Sequence, residues 1–204
     1  MDIKAVVFDY GQVISFPQDP KVIDDLAKLA GVERKTFEKP FWALRGKYDR
    51  GTITVEEYFK EILSGLNVSP DDKSVSEMIR IDSESWKILN PETVALMEEI
   101  KKAGYLLGIL SNMPHDFLEW ARKNFSVFSL PDIGLFSCEV NLIKPEEAIY
   151  RKLLSLFGVE GGELVFFDDN ADNIKGAAAL GIKALLWESP EIARQELLSL
   201  GVRL

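Results

Sequence analysis

The sequence predicts an α/β fold: a mostly parallel, doubly wound sheet with an all-helical segment inserted after the first strand. Three observations predict it. Ala5-Val6-Val7-Phe8 is apolar without alternation, as a strand buried on both faces requires, and it ends in Asp9 and a glycine turn at Gly11. Tyr105-Leu106-Leu107-Gly108-Ile109-Leu110 repeats the pattern and ends in Ser111-Asn112, while Leu164-Val165-Phe166-Phe167 ends in Asp168-Asp169. Between the first and second runs, residues 21–86 show helical spacing and no convincing strand.

After the first strand, Phe16-Pro17-Gln18-Asp19-Pro20 lacks a helical period and reads as a linker. Val22, Ile23, Leu26, Leu29 and Ala30 recur at helical spacing until Gly31 closes the segment. Further helices are predicted over 34–48, 54–66 and 74–86, the second opened by the capping box Thr54-Val55-Glu56-Glu57. Asn90-Pro91 starts a helix that ends at Ala103-Gly104 and returns the chain to the second strand. A helix follows through Phe117, Leu118, Trp120 and Ala121. Ser137-Cys138-Glu139-Val140 reads as a short strand, and Pro145 as the opening of a helix with Ile149, Leu153, Leu154 and Phe157 inside. A small-residue helix over 174–180, a last strand over 183–187 and a terminal helix over 190–200 complete the chain. The expected division is a core of residues 1–15 and 87–204 with residues 16–86 inserted.

Parallel strands present their carboxyl ends to a common crevice, where open α/β sheets build their sites. Neighbouring strands would therefore gather Asp9, Ser111-Asn112 and Asp168-Asp169. Taken singly, Asp before a glycine turn is ordinary turn chemistry and an Asp pair is an ordinary helix cap.

With Phe8-Asp9-Tyr10-Gly11-Gln12-Val13, Leu110-Ser111-Asn112, Lys144-Pro145-Glu146 and Phe167-Asp168-Asp169-Asn170-Ala171-Asp172 in this order, the chain resembles the haloacid dehalogenase superfamily of aspartyl-nucleophile hydrolases. The resemblance implies a Rossmann-like core and a helical cap domain. It implies a phosphatase acting on a small phosphorylated metabolite through an aspartyl-phosphate, with Asp9 as nucleophile and Lys144 as a fixed positive charge. Ser111 and the backbone amide of Asn112 would bind the phosphoryl group. Mg²⁺ would be held by Asp9, Asp169 and the carbonyl of Gly11, with Asp168 and Asp172 orienting metal-bound water or Lys144. The physical case for the cation is repulsion, because carboxylates this close to one another and to an anionic ester need a positive charge among them.

Members of such families commonly carry a second Asp two residues after the nucleophile, where this chain has Gly11. A general acid supplies about 10²–10⁴-fold, so its loss favours activated leaving groups such as a sugar 1-phosphate. His115, next to the second motif, is a candidate proton donor or loop residue. Arg45, Lys47 and Arg50 concentrate positive charge in the helical segment; any one of them reads as part of a solvated helix face, while as a group, with Arg45 the residue named for it, they read as contacts for an anionic substrate. Two other readings compete: 2-haloacid dehalogenation, which the resemblance associates with sites needing no metal, and a binding or regulatory module without turnover.

A net charge of −9 argues against a nucleic-acid partner. One cysteine, Cys138, excludes an intramolecular disulfide and suits a reducing compartment. No apolar run approaches the roughly 20 residues of a membrane span, and Met1-Asp2-Ile3-Lys4 leads directly into the first strand. The expectation is a cytoplasmic protein, monomeric or homodimeric.

Overall fold

Alternating side chains of the strands cover two faces of one sheet, and each face has its own layer of helices. In a computed structural model of the chain, which describes residues 2–204, β1 (Ala5–Phe8), β2 (Leu106–Ser111), β3 (Ile133–Phe136), β4 (Leu164–Asp168) and β5 (Lys183–Leu186) form a five-stranded sheet in the order β3-β2-β1-β4-β5. Every pairing in it is parallel. The order reverses at β1, so its carboxyl end opens between β2 and β4, the crevice such sheets use for binding.

On one face Val6, Phe8, Leu107, Ile109, Val165 and Phe167 pack against α5 (Pro91–Lys102), α6 (His115–Asn124) and α10 (Pro190–Ser199). On the other, Ala5, Val7, Leu110, Leu164 and Phe166 meet α8 (Glu147–Phe157) and α9 (Ala171–Ala178). This is the period of two expected of a sheet buried on both sides. Gly108 in β2 is required by that packing, since a Cβ there would stand 2.6 Å from the Phe157 ring.

The inserted helices α1 (Lys21–Ala30), α2 (Arg34–Asp49), α3 (Val55–Gly65) and α4 (Asp72–Ser85) bury their apolar stripes in a separate core of Leu26, Phe37, Phe41, Tyr58, Phe59, Ile62 and Met78. The predicted capping box is formed: Thr54 Oγ1 accepts from Glu57 N at 3.2 Å, and Glu57 Oε2 accepts from Thr54 N at 2.7 Å. Entry and exit of the insertion run side by side. Ser15 and Leu89 form an antiparallel bridge, flanked by Phe16 N to Ile88 O and Asn90 N to Ile14 O, each 2.8 Å. Among the described residues, no helix is long and apolar enough to cross a membrane.

Some elements differ from expectation. The strand lies at Ile133–Phe136, while Ser137–Val140 forms the short helix α7, stopped by Asn141 in a left-handed conformation (φ 56°). Phe136 ends the pairing with β2, so the next residues have no ladder to join. Pro145 precedes α8 by two residues, and α9 starts at Ala171, three residues before the apolar pattern begins. Asn170 is the reason for the early start, because its side chain caps Asp172 N at 2.9 Å.

Candidate active site

The carboxyl ends of β1, β2 and β4 supply one cavity of about 230 Å³, and the inserted helices roof it. Its floor includes Asp9, Gly11, Gln12, Ser111, Asn112, Lys144 and Asp169, and its roof Trp42, Arg45, Asp49 and Trp86. β1 stops at Phe8 because the chain turns at Tyr10–Ile14, where Ser15 N bonds back to Tyr10 O at 2.8 Å and Gln12 takes a positive φ of 60°. Asp9 is left at the head of that turn, 8% exposed.

Lys144 organises the floor. Its ammonium lies 2.8 Å from Asp9 and 2.6 Å from Asp168, and donates to Leu110 O at 3.1 Å. The Asn112 side chain grips its backbone from both sides, accepting from Lys144 N at 2.8 Å and donating to Lys144 O at 3.0 Å. The Asn112 side chain is thus engaged with the Lys144 backbone, which leaves its backbone amide as the group to propose for a phosphoryl oxygen. Asp168, fully buried, also accepts from Asn173 Nδ2 at 2.9 Å and Asn170 N at 2.8 Å, so its carboxylate is consumed in holding Lys144 and the start of α9.

Electrostatically the floor is short of positive charge. Oxygens of Asp9, Asp168 and Asp169 lie within 4.8 Å of one another, and Lys144 is the one ammonium among them. Burial pushes the Asp9 carboxyl up to about 7 against the pull of Lys144, with Asp168 adding to the rise. Burial and Asp168 likewise raise Asp169, whose Oδ2 accepts from Gln12 Nε2 at 2.6 Å. Burial disfavours the charge on Lys144, yet Asp9 and Asp168 outweigh it and hold the ammonium above its ordinary value. Hard oxygen donors with unbalanced negative charge fit a divalent cation such as Mg²⁺, and Asp9 and Asp169 are the carboxylates with capacity for it.

Gly11 lies beneath an indole. A Cβ on it would touch Cζ3 of Trp86 at 3.4 Å, and the Tyr10 hydroxyl anchors the same tryptophan through its carbonyl at 2.7 Å. Arg45 reaches the cavity wall with its charge already shared: Nε lies 3.0 Å from Asp49, and Nη1 3.0 Å from Asp82. Its guanidinium also faces the Phe41, Tyr48 and Trp86 rings at 5.3–5.9 Å.

Several expected contacts lie elsewhere. Asp172 is a correction, since it is exposed and pairs with Lys175 at 2.9 Å, the turn of α9 aiming it outward. Lys47 pairs with Glu61 at the surface. Arg50 binds Glu146 and Asn141 O, clamping the insertion to the sheet unit. His115 is exposed and lines a separate recess with Gly51, Thr52 and Ile53. Gln12, Trp42, Asp49 and Trp86 were not singled out from the sequence. The one sequence signal for Asp49 is its position four residues after Arg45 on a helix.

The model of the haloacid dehalogenase-like hydrolases matches residues 3–181. Phosphatase MT3486 from Mycobacterium tuberculosis is 27% identical over 197 residues, which cover 91% of this chain and 88% of that protein. (S)-2-haloacid dehalogenase 4A from Burkholderia cepacia is 30% identical over 95 residues, covering 47% of this chain and 41% of that one. In fold, the chain is similar to a family enzyme from Bacteroides thetaiotaomicron crystallised with magnesium and inorganic phosphate, with a TM-score of 0.74 and 22% identity across 91% of this chain and 94% of the other. With the four motifs converging on one crevice and the family model spanning most of its length, the chain belongs to the haloacid dehalogenase-like hydrolases.

Proposed function

We propose that the protein is a Mg²⁺-dependent phosphatase that hydrolyses a small phosphorylated compound through an aspartyl-phosphate on Asp9. The observation that carries this reading is the unbalanced acidic floor: Asp9 and Asp169 share a cavity with one ammonium, too little charge to receive a phosphate ester unaided. The similarity to a phosphatase along nearly the whole chain supports it, as does the fold shared with a protein that binds magnesium and phosphate.

Asp9, held by Lys144 and kept ionised once a cation offsets the burial that raises its carboxyl, would need no base to attack phosphorus. Bound by Asp9, Asp169 and the Gly11 carbonyl, Mg²⁺ would supply the charge that lets an anionic ester approach an anionic attacker. The Ser111 hydroxyl and the Asn112 amide hold phosphoryl oxygens, and Lys144 stabilises the charge that spreads over them, the main demand of phosphoryl transfer. The helical unit, residues 16–86, acts as a cap that excludes bulk water and bounds the substrate. Arg45, neutralised by Asp49 and Asp82, shapes that boundary more than it attracts phosphate.

In sequence the match to a 2-haloacid dehalogenase covers 47% of this chain, and although solved dehalogenases share the fold over nearly all of it, that reading leaves Asp169 without a task. Phosphate release from a panel of phosphorylated metabolites, with and without chelator, tests the proposal, alongside halide release from 2-haloacids. Mg²⁺-dependent phosphate release, abolished by Asp9→Asn, is expected. Halide release that persists in chelator would overturn it, and failure to trap a phosphoenzyme with a fluoride analogue and Mg²⁺ would favour a module without turnover.

A further inference from the structure

One requirement of this reaction has no group among the motif residues. An ester oxygen leaving phosphorus takes up a proton, and Gly11 has none to give. The Trp86 ring lies directly over it, where a Cβ would already meet the indole at 3.4 Å. Among the titratable side chains lining the cavity, Asp9 is the attacking group and Asp169 belongs with the cation. Lys144 is shared between Asp9 and Asp168, Tyr10 donates its hydroxyl to the Trp86 carbonyl at 2.7 Å, and Arg45 stays charged at any working pH. Asp49 remains.

Asp49 ends α2 and is 8% exposed on the cavity roof. One carboxylate oxygen accepts from Arg45 Nε at 3.0 Å. Its backbone carbonyl accepts from the Ser137 hydroxyl, which in turn accepts from Met113 N at 2.9 Å. The turn that bears this carboxyl is thus tied to the loop that follows Ser111 and Asn112, not only to its own helix. Arg45 on α2, Asp82 on α4 and Asp116 on α6 are the charged groups around it. Burial, with Asp82 and Asp116 adding and Arg45 opposing, pushes its carboxyl up to about 6, near the range where an acid can also serve as a base.

We propose that Asp49 is the acid–base group of the reaction, delivered from the helical unit in place of the carboxyl missing at position 11. The inference rests on the phosphatase reading. In the first step an Asp9 oxygen bonds to phosphorus, the bond to the leaving oxygen breaks, and the Asp49 proton goes to that oxygen. In the second, water attacks phosphorus while Asp49 takes its proton, the bond to Asp9 breaks, and inorganic phosphate leaves with Asp9 ionised and Asp49 protonated. The protein would then not be confined to activated esters, as the absence of an acid at position 11 suggests.

The test compares p-nitrophenyl phosphate with a simple alkyl phosphate on the full chain with Mg²⁺. Asp49→Asn is expected to lose about 10²-fold or more in kcat/KM on the alkyl ester and less than about ten-fold on the nitrophenyl ester, whose leaving group needs no proton. The fall of kcat/KM above pH 6 should vanish with it. Asp82→Asn disturbs the same Arg45 from outside the cavity, and should lower both substrates alike. Equal losses on the two esters in Asp49→Asn overturn the proposal while leaving the phosphatase reading intact, whereas no phosphate release from either ester by the unaltered protein defeats that reading itself. Should Asp49→Asn not fold, the unaltered protein decides. A shallow dependence of rate on leaving-group acidity is expected, and a steep one overturns the proposal.

Discussion

Lys144 and Asp168 form an ion pair at 2.6 Å in which neither side chain is more than 1% exposed. Removing one partner of a buried pair strands the other, at about 3–5 kcal/mol. Lys144→Met is therefore expected to lower the unfolding free energy by about 3 kcal/mol in metal-free buffer, and added Mg²⁺ to restore part of the loss. Urea unfolding of the two proteins, with and without Mg²⁺, measures both.

Mg²⁺ should stabilise the folded chain whether or not substrate is present. At a hundred times its dissociation constant a ligand of the native state contributes about 2.7 kcal/mol, so a rise in Tm with Mg²⁺ is expected. Asp169→Asn removes one of the two carboxylates assigned to the cation and should flatten that rise, while Asp172→Asn, exposed and paired with Lys175, should leave it intact. Differential scanning fluorimetry reads the comparison, and an undiminished shift in Asp169→Asn would place the cation elsewhere.

Asp49 gives the stability profile a direction. Its folded carboxyl titrates at about 6 against 3.8 for the ordinary value, so between those values the native state holds more protons than the unfolded chain. The contribution of Asp49 is fully present below pH 3.8 and lost as pH rises to about 6, a change of about 3 kcal/mol. Denaturant midpoints measured from pH 4 to 7 should fall more steeply with pH in the unaltered protein than in Asp49→Asn. Parallel profiles would contradict the buried placement of this carboxyl.

Gly11 and Trp86 should behave as a coupled pair. Because a Cβ at position 11 already meets the indole at 3.4 Å, the carboxyl of Gly11→Asp has to share space with Trp86, and an overpacking cost of up to about 1–3 kcal/mol is expected. In Gly11→Asp combined with Trp86→Ala, part of that cost should be recovered. Simple additivity in the double-mutant cycle would mean that the two sites do not share space.

The floor of the site was legible because strand burial and strand ends are local properties. Val6 and Val7 declare a two-faced strand, and Asp9, Ser111 and Asp169 follow from where such strands stop. The roof was not legible. Asp49 and Trp86 line the same cavity as Gly11 and Ser111 only because α2 and the end of α4 fold back over the sheet, a placement of residues far apart in the chain that no local spacing records. Lys47 and Arg50 mislead for the same reason, since charge in a segment says nothing of which face meets the cavity. β3 was missed because Ile133-Gly134-Leu135-Phe136 is a short edge strand containing glycine, and its partner β2 alone defines it.

The bridge between Ser15 and Leu89 gives the molecule a modular character. Departure and return points are hydrogen-bonded neighbours, so the segment between them could be cut out and the gap spanned by a tight loop, at the loss of clamps such as Arg50 to Glu146 but with the pairing of β1 to β2 and β4 left in place. Bond-making at phosphorus would stay with the stump, whereas recognition of the departing alcohol, and through Asp49 the proton it carries away, would travel with the exchanged cassette.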